Sequence, residues 1–167
     1  IYASGFEVGT SYARRSGFET TGRDGITLSE AWDDGMVTLH GTHVHGFPNL
    51  FVVGPNQAAN LISNVPHNLT ERGATIAAIL RHALDTGATE VEVTADAQAR
   101  WMELLEAGGR TFGNDPDCTP GYYNNEGQLR TVAQRRSFVG YPDGPMAYFA
   151  YIDEWRSSGA FEGLAFR

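Results

Sequence analysis

Three closely spaced histidines are the residues of this chain whose types could hold a metal ion. His40, His43 and His45 follow one another at spacings of three and two. Alternate side chains of an extended loop point to opposite sides, so His43 and His45 would point one way and His40 the other. A structural zinc site takes four ligands, and no nearby cysteine supplies the fourth. A metal site and a polar loop over a strand end both stay open, and the spacing favours the loop.

Nucleophilic chemistry has little support in the sequence. No Gly-x-Ser-x-Gly elbow occurs, and the single cysteine, Cys118, has no adjacent helix start to lower its pKa. The stretch Thr119–Gly127 combines tyrosines, asparagines and a carboxylate, which suits either ligand contact or loop docking. We therefore predict that Cys118 is a packing residue, and we assign no catalytic residue.

The stretch that follows the histidines predicts a site built from backbone amides. Leu50–Val53 is an apolar run typical of an interior strand covered on both faces; it ends at Gly54 and Pro55, and a helix begins near Asn64. The first amides of a helix lack partners inside it, and the helix dipole places partial positive charge there. An anionic or electron-rich ligand edge would suit this place, although an ordinary strand-to-helix connection has the same pattern.

Helical periodicity identifies the element that holds this stretch. Asn64 or Val65 would cap the helix, Pro66 suits its first turn, and Gly87 lies where it should stop. Apolar residues recur at intervals of four, three, four and four, which predicts one buried face. The residues of that predicted face are Leu69, Gly73, Ile76, Leu80 and Leu84.

The remaining elements alternate between strand and helix, which predicts an α/β fold. A second helix would start at the cap Thr94, bury one apolar face and end at Gly108. That face consists of Ala97, Trp101, Leu104 and Leu105. The other predicted elements are a strand at Ile1–Ser4, a hairpin about Gly22–Gly25, a helical turn at Ser29–Trp32, strands at Met36–Leu39 and Val91–Val93, an irregular loop at Arg110–Gln128, a helix at Pro145–Arg156 and a tail strand at Gly163–Phe166.

Composition excludes several classes of function. A formal net charge of −8, with only two adjacent arginine pairs, argues against a nucleic-acid surface. No window approaches the roughly 18 apolar residues of a membrane helix, and a single cysteine fits a reducing compartment. We expect a soluble, cytoplasmic protein without a nucleic-acid or membrane partner. Because no Gly-x-Gly-x-x-Gly fingerprint occurs, a dinucleotide pyrophosphate would have to bind another segment.

Several motifs resemble those of one enzyme family. The segment "GFPNLFVVGP" resembles the "GFPNLF…GP" segment of the flavin-dependent Baeyer–Villiger monooxygenases, and "ASGFE" resembles their Ala-Thr-Gly-Phe signature. The segments "DGITLSEAW" and "CTPGYYNNEG" resemble the C-terminal part of the same family. Since the similarity runs in order along the whole chain, the chain resembles the C-terminal third of such an enzyme.

The resemblance implies cofactors, a reaction and site residues. FAD would be the prosthetic group and NADPH the reductant, and O2 would convert a ketone into an ester or lactone. The cofactor-binding residues that the resemblance implies are Gly5, Gly54, Pro55, Asn64 and Val65, and the substrate-binding residues are Asn60 and Leu61.

The resemblance also implies an incomplete enzyme. Residues 1–87 would form the C-terminal part of a Rossmann-like FAD-binding domain, and residues 88–167 a helical and loop extension packed on it as one compact unit. The partner would be the N-terminal FAD- and NADPH-binding segment of the same enzyme, without which this chain would be inactive. The alternative is a non-catalytic truncated fragment or interaction module that keeps the fold.

Overall fold

Helices make up most of the regular structure. The computed structural model describes residues 12–54, 56–59, 63–111, 117, 119 and 131–167, apart from the side chain of Arg15. Its helices are α1 (Tyr12–Ser16), α2 (Leu28–Ala31), α3 (Val65–Thr86), α4 (Ala95–Gly108), α5 (Val132–Arg136) and α6 (Gly144–Ser157). Strands β1 (Val91–Val93) and β2 (Leu164–Phe166) pair antiparallel, with Val91 opposite Phe166. The mixture of helix and strand agrees with the predicted class, while the Rossmann-like detail stays a prediction.

Helix α3 begins and ends where the sequence predicts. The side chain of Asn64 accepts a hydrogen bond from the His67 amide at 3.0 Å, and Pro66 lies in the first turn. Gly87 closes the helix in the left-handed conformation, with φ of +74°. Capping and termination signals lie within the chain segment itself, and they fixed both ends.

The predicted buried face of α3 is wrong. Leu69, Leu80 and Leu84 are 36%, 46% and 77% exposed. Gly73 is exposed as well, and Ile76 is only half-buried. The helix instead buries a largely polar set consisting of Asn68, Arg72, Thr75, Ile79 and Ala83. The physical reason is that the interior beneath α3 offers hydrogen-bond acceptors to Arg72, so polarity does not force this face outward.

Helix α6 and the two ends of α4 confirm their predictions, whereas the predicted buried face of α4 is wrong at Leu104. The side chain of Thr94 caps α4 by accepting from the Ala97 amide at 3.3 Å, and Gly109 follows the last turn. The buried residues of α4 are Ala97, Trp101, Met102 and Leu105, whereas Leu104 is exposed. The last helix covers the predicted range, and the predicted strand and tail strand form the described sheet.

The strand predicted at Met36–Leu39 is wrong. The chain reverses immediately after Leu39, because His40 and Gly41 have φ of +56° and +70°. Leu39 therefore forms a single antiparallel bridge with His43 in place of a ladder.

The interior strand predicted at Leu50–Val53 is also wrong. Its backbone amides have scattered acceptors: the Val52 amide donates to the Thr42 carbonyl at 2.8 Å, and the Leu50 amide donates to the Phe47 carbonyl at 3.3 Å. Val53 is 55% exposed, so the run is not covered on both faces. A strand needs a partner ladder, and the described residues provide none for this segment.

The predicted turn at Gly22–Gly25 is present, but the hairpin around it is not. Asp24 and Gly25 have φ of +58° and +80°, as an Asp-Gly turn requires. The flanking chains share only the bridge between Thr21 and Thr27. The helical turn predicted at Ser29–Trp32 appears as α2. The strand Ile1–Ser4 and most of the loop Arg110–Gln128 lie outside the described residues.

Apolar residues from both halves of the chain share one core. Leu39, Ala59 and Ile79 pack in the same cluster as Leu105 and Ile152. A smaller cluster consists of Leu28, Met36, Val44, Phe47 and Val52. The division into residues 1–87 and 88–167 stays a prediction. Within the described ranges, no helix has the length and apolar character needed to cross a bilayer.

Candidate functional site

The amino-terminal end of α3 presents one backbone donor. The Asn64 side chain accepts the His67 N–H, and the Asn64 carbonyl accepts the Asn68 N–H, both at 3.0 Å. Pro66 has no N–H to offer. The half-buried Val65 amide is then the first-turn donor for which the described residues provide no acceptor. Asn64 and Val65 therefore lie where the sequence predicts a helix start, and their contact with a cofactor stays a prediction.

The electrostatics of this helix end favour a negatively charged partner. No acidic side chain stands in the first turn of α3. The aligned peptide dipoles place roughly half an elementary positive charge at the end of such a helix. Because no carboxylate of the turn neutralises that charge, an electron-rich group would be stabilised beside the Val65 amide.

Gly54 lies in a close contact between protein groups. A Cβ at this position would lie 3.0 Å from the hydroxyl oxygen of Tyr12 and 3.4 Å from Nδ2 of Asn56. The Asn56 amide group also donates to the Tyr12 hydroxyl oxygen. The structure thus gives Gly54 a packing role, and its cofactor contact is untested. The other predicted site residues, Gly5, Pro55, Asn60 and Leu61, lie outside the described residues.

A buried arginine joins α3 to the chain segments that precede it. Arg72 is 4% exposed. Its Nη1 donates to the carbonyls of Gly41 and Val52, the latter at 3.3 Å, and its Nη2 donates to the carbonyl of Asn56 at 3.3 Å. The guanidinium therefore fixes the chain on both sides of Gly54 against the helix.

Gly41 makes room for this guanidinium. A Cβ there would lie 2.8 Å from the Asn56 carbonyl oxygen and 2.9 Å from Nη2 of Arg72. The φ of +70° also favours glycine. The Arg72 contacts thus depend on a position that accepts no side chain.

His40 and His43 are buried beside Arg72 and held neutral. Burial, followed by the positive charge of Arg72, lowers the pKa of His43 to about 3. Burial, followed by His43 and Arg72, lowers the pKa of His40 well below its usual range. His40 Nε2 lies 2.9 Å from the hydroxyl oxygen of Tyr151, and the Tyr148 hydroxyl donates to the His40 carbonyl at 3.2 Å. The polar loop that the sequence favours is present as a turn, and these two histidines are buried within it.

This polar cluster is interior structure. The cavity lined by His40, His43, Asn68, Arg72 and Tyr148, among others, has a volume of about 10 Å³. That volume corresponds to about one water molecule and excludes a flavin or a ketone. The described part of the chain also contains no group of three His, Cys, Asp or Glu side chains placed to hold a metal ion.

Sequence reasoning missed Arg72. Asn68, Arg72 and Thr75 recur at spacings of four and three, which is helical spacing for a second face of α3. The signal was therefore present in the sequence. This spacing does not by itself predict burial, because polar residues at helical spacing usually lie on the solvent side of a helix.

The chain is similar along nearly its whole length to known enzymes, although no protein-family model matches it. The FAD-binding monooxygenase hmp7 of Hypomyces subiculosus is 39% identical over 165 residues, which cover 98% of this chain and 27% of the relative. Baeyer-Villiger monooxygenase 4 of Dietzia sp. (strain D5) is 34% identical, with coverage of 99% and 27%.

Solved structures that are similar to this chain are also monooxygenases. The polycyclic ketone monooxygenase from the thermophilic fungus Thermothelomyces thermophila is 28% identical with a TM-score of 0.72, covering 95% of this chain and 26% of that chain. An oxidised steroid monooxygenase bound to NADP shares the fold at 24% identity, with a TM-score of 0.70 and coverage of 91% and 27%.

In both sequence and fold, the chain is similar to flavoprotein monooxygenases. Within that class, the chain is related to the Baeyer–Villiger monooxygenases, which match it at 33–39% identity, and it corresponds to their C-terminal portion. The resemblance stated from the motifs is thereby confirmed. The chain spans about a quarter of the length of the relatives it matches.

Proposed function

We propose that this chain forms part of a flavoprotein monooxygenase that inserts one oxygen atom of O2 into a ketone and gives an ester or lactone. The observation that carries the proposal is the 33–39% identity to Baeyer–Villiger monooxygenases along nearly the whole chain. FAD would be the prosthetic group and NADPH the reductant, in line with the FAD-binding and NADP-bound relatives. The partner would be an N-terminal FAD- and NADPH-binding segment, without which this chain is inactive.

The start of α3 fits one edge of a flavin. When bound and reduced, the flavin supplies the electrons for O2 and carries negative charge on its pyrimidine side. The Val65 amide would donate a hydrogen bond to that side, and the positive helix end would stabilise the charge without titrating. Asn64 would hold the first turn in place through its bond to the His67 amide. Arg72 would act as a positioning residue that keeps Gly54 in a fixed place relative to this amide.

A chimera tests the reaction. The C-terminal quarter of the Hypomyces relative is replaced by this chain, and the same relative truncated before that point is the control. We expect a yellow chimera that oxidises NADPH only in the presence of a polycyclic ketone and forms the corresponding ester or lactone, detected by mass spectrometry. The truncated control should do neither. A chimera that holds FAD yet leaves every ketone unchanged would favour the non-catalytic module instead.

The substitution Val65→Pro tests whether the Val65 amide donates a hydrogen bond to the flavin. Proline suits the first position of a helix, and Asn64 already has the extended conformation that a following proline requires, so the substitution removes the N–H with little change in fold. A hydrogen bond to a charged group contributes about 1.5–3 kcal/mol, so we expect ketone-dependent NADPH oxidation by the chimera to slow roughly tenfold or more. Val65→Ala, which keeps the N–H, should retain most of the rate. Equal rates for the two variants would contradict the role of this amide.

A further inference from the structure

A second cavity lies between α4, α6 and the chain that precedes β2. Its volume is about 190 Å³. An interior cavity of roughly 150 Å³ takes up one benzene molecule, so this cavity has room for a molecule of about one ring. Its lining includes Trp101, Leu104, Tyr151, Trp155, Glu162 and Gly163.

Aromatic rings form the walls of this cavity. We define the aromatic cage as Trp101, Tyr151 and Trp155. Their ring centroids lie 4.7–5.3 Å from that of His40, and their planes are turned by 75–86° from the imidazole plane. His40 also lines the cavity, so its ring forms the floor from which the three walls rise. The face of an aromatic ring carries partial negative charge and attracts cations, most strongly in tryptophan.

A carboxylate stands beside the aromatic cage. Trp155 Nε1 donates to the backbone carbonyl of Glu162 at 3.0 Å. The next residue, Gly163, accepts no side chain, because a Cβ there would lie 2.7 Å from the nearest side-chain atom. These contacts hold Glu162 at the cavity. Burial, followed by the neighbours Tyr141 and Glu162, raises the pKa of Tyr151 to about 12, so the Glu162 charge acts on the cage.

The charge at this cavity is negative. Among the described residues, the Glu162 carboxylate has no basic partner. Arg100 also lines the cavity, but it pairs with Asp96 on the preceding turn of α4. Burial lowers the pKa of His40 well below its usual range, so the floor is uncharged. Aromatic walls with one unbalanced carboxylate are complementary to a positive charge on an apolar body.

We propose that this cavity binds a small organic cation, an ammonium group on an apolar body of about one ring. The ammonium group lies against the aromatic cage, and its charge faces Glu162. The apolar body contacts Leu39 and Leu104, which also line the cavity. Quaternary ammonium groups are recognised elsewhere by cages of aromatic rings. The site goes beyond the proposed reaction, since none of its residues is a predicted contact of flavin or ketone.

Titration of the chain with choline tests the role of charge. The control is the neutral alcohol of the same shape, in which a tert-butyl group replaces the trimethylammonium group. We expect choline to bind at least about tenfold more tightly than this alcohol, measured by isothermal titration calorimetry. Glu162→Gln should weaken choline binding by about fivefold or more and leave binding of the alcohol unchanged. Glu154→Gln, which removes the same charge from an exposed position of α6, should change neither affinity.

The three tryptophans of the chain locate the site. Trp101 and Trp155 belong to the aromatic cage, whereas Trp32 packs on the smaller core cluster. In a proton–nitrogen correlation spectrum, choline should shift the indole N–H signals of Trp101 and Trp155 and leave that of Trp32 in place. Tyr151→Phe, which keeps the ring, should retain the affinity for choline, and Tyr151→Leu should lower it several-fold. A Trp32 signal at its parental position reports that the leucine variant is folded.

Several outcomes would overturn the cation site. Equal affinities for choline and the neutral alcohol would mean that the cavity selects only an apolar shape. Equal losses from Glu162→Gln and Glu154→Gln would mean that the effect is one of net charge. The absence of binding at tens of millimolar choline would contradict the site, and so would a shift of the Trp32 signal together with the other two. Because no titration contains flavin or ketone, these results are separate from a failure of the proposed reaction.

Discussion

On α3, the inward face carries Asn68, Arg72 and Thr75, whereas the outward face carries a row of leucines. Most of the inward polar groups have partners: Arg72 donates to three carbonyls through its Nη atoms, and the Thr75 hydroxyl donates to the Glu71 carbonyl at 2.9 Å. Nε of Arg72 is buried without an acceptor among the described residues. The outward leucines are 36% exposed at Leu69, 46% at Leu80 and 77% at Leu84. Polarity alone therefore does not assign a helix face, since buried polar groups are tolerated when they are hydrogen-bonded.

The largest expected loss of stability comes from a substitution on the inward face of α3. Arg72→Met would leave the carbonyls of Gly41, Val52 and Asn56 without their donor, at about 1–3 kcal/mol for each buried unpaired group. We expect the free energy of unfolding of the chain, measured by urea denaturation, to fall by about 3 kcal/mol or more.

The matched control lies on the same helix. Arg81 is exposed, and within the described part of the chain its partner is Asp85; surface pairs of this kind contribute about 0–1 kcal/mol. Arg81→Met should therefore change the free energy of unfolding little. Similar losses for the two arginines would remove the distinction between the faces.

A pH change tests the same interior without altering α3. The pKa of His43 is about 3 in the folded chain, whereas that of an unfolded histidine is about 6.5. Between these values the unfolded chain binds more protons, so the stability that His43 contributes is fully present above pH 6.5 and is lost as the pH falls. The slope is about 1.4 kcal/mol per pH unit, which gives about 2 kcal/mol between pH 6.5 and 5.

Urea denaturation at these two pH values measures that loss. His43→Gln removes the titrating group, so its difference in free energy of unfolding between pH 6.5 and 5 should be smaller than that of the parent by about 2 kcal/mol. An unchanged difference would mean that His43 is not held neutral by burial.

The smallest effect concerns the outward face in the chain alone. Leu84→Gln should change the free energy of unfolding by no more than about 0.5 kcal/mol, because the side chain already lies mostly in solvent. Ile79→Ala, on the buried face of the same helix, should cost about 2–5 kcal/mol. A large loss for Leu84→Gln would show that other parts of the chain cover this side chain.

Local sequence signals predicted the helix ends. Which face of α3 is buried, and whether Leu50–Val53 forms a strand, depend on partners that are distant in the sequence. Asn64, Thr94 and Gly87 act within one turn of their helices, so their roles were visible in the sequence. The inward position of Arg72 depends on carbonyls that lie sixteen to thirty-one residues away. The extended run at Leu50–Val53 has the composition of a strand, but whether it forms one depends on a neighbour to pair with.

The candidate site likewise has one part that local sequence signals predicted and one part that they could not predict. The helix start at Asn64 and the open Val65 amide follow from capping and from Pro66. That a flavin would bind there is predicted only by the resemblance to Baeyer–Villiger monooxygenases, because a helix start favours any electron-rich group. The role of Arg72 could not be predicted, because its partners lie in two loops and the sequence has no periodic pattern that predicts the path of a loop.

The short sheet has a consequence for the order of folding. Strands β1 and β2 share only three pairs of residues, yet about seventy residues of chain separate them, and closing so long a loop has an entropic cost that so short a ladder does not offset. We therefore expect the ladder to form only after α4 and α6 have packed around their common core. Hydrogen exchange at the β1 amides would then report the integrity of the whole carboxyl half, since those amides open to solvent whenever that half comes apart.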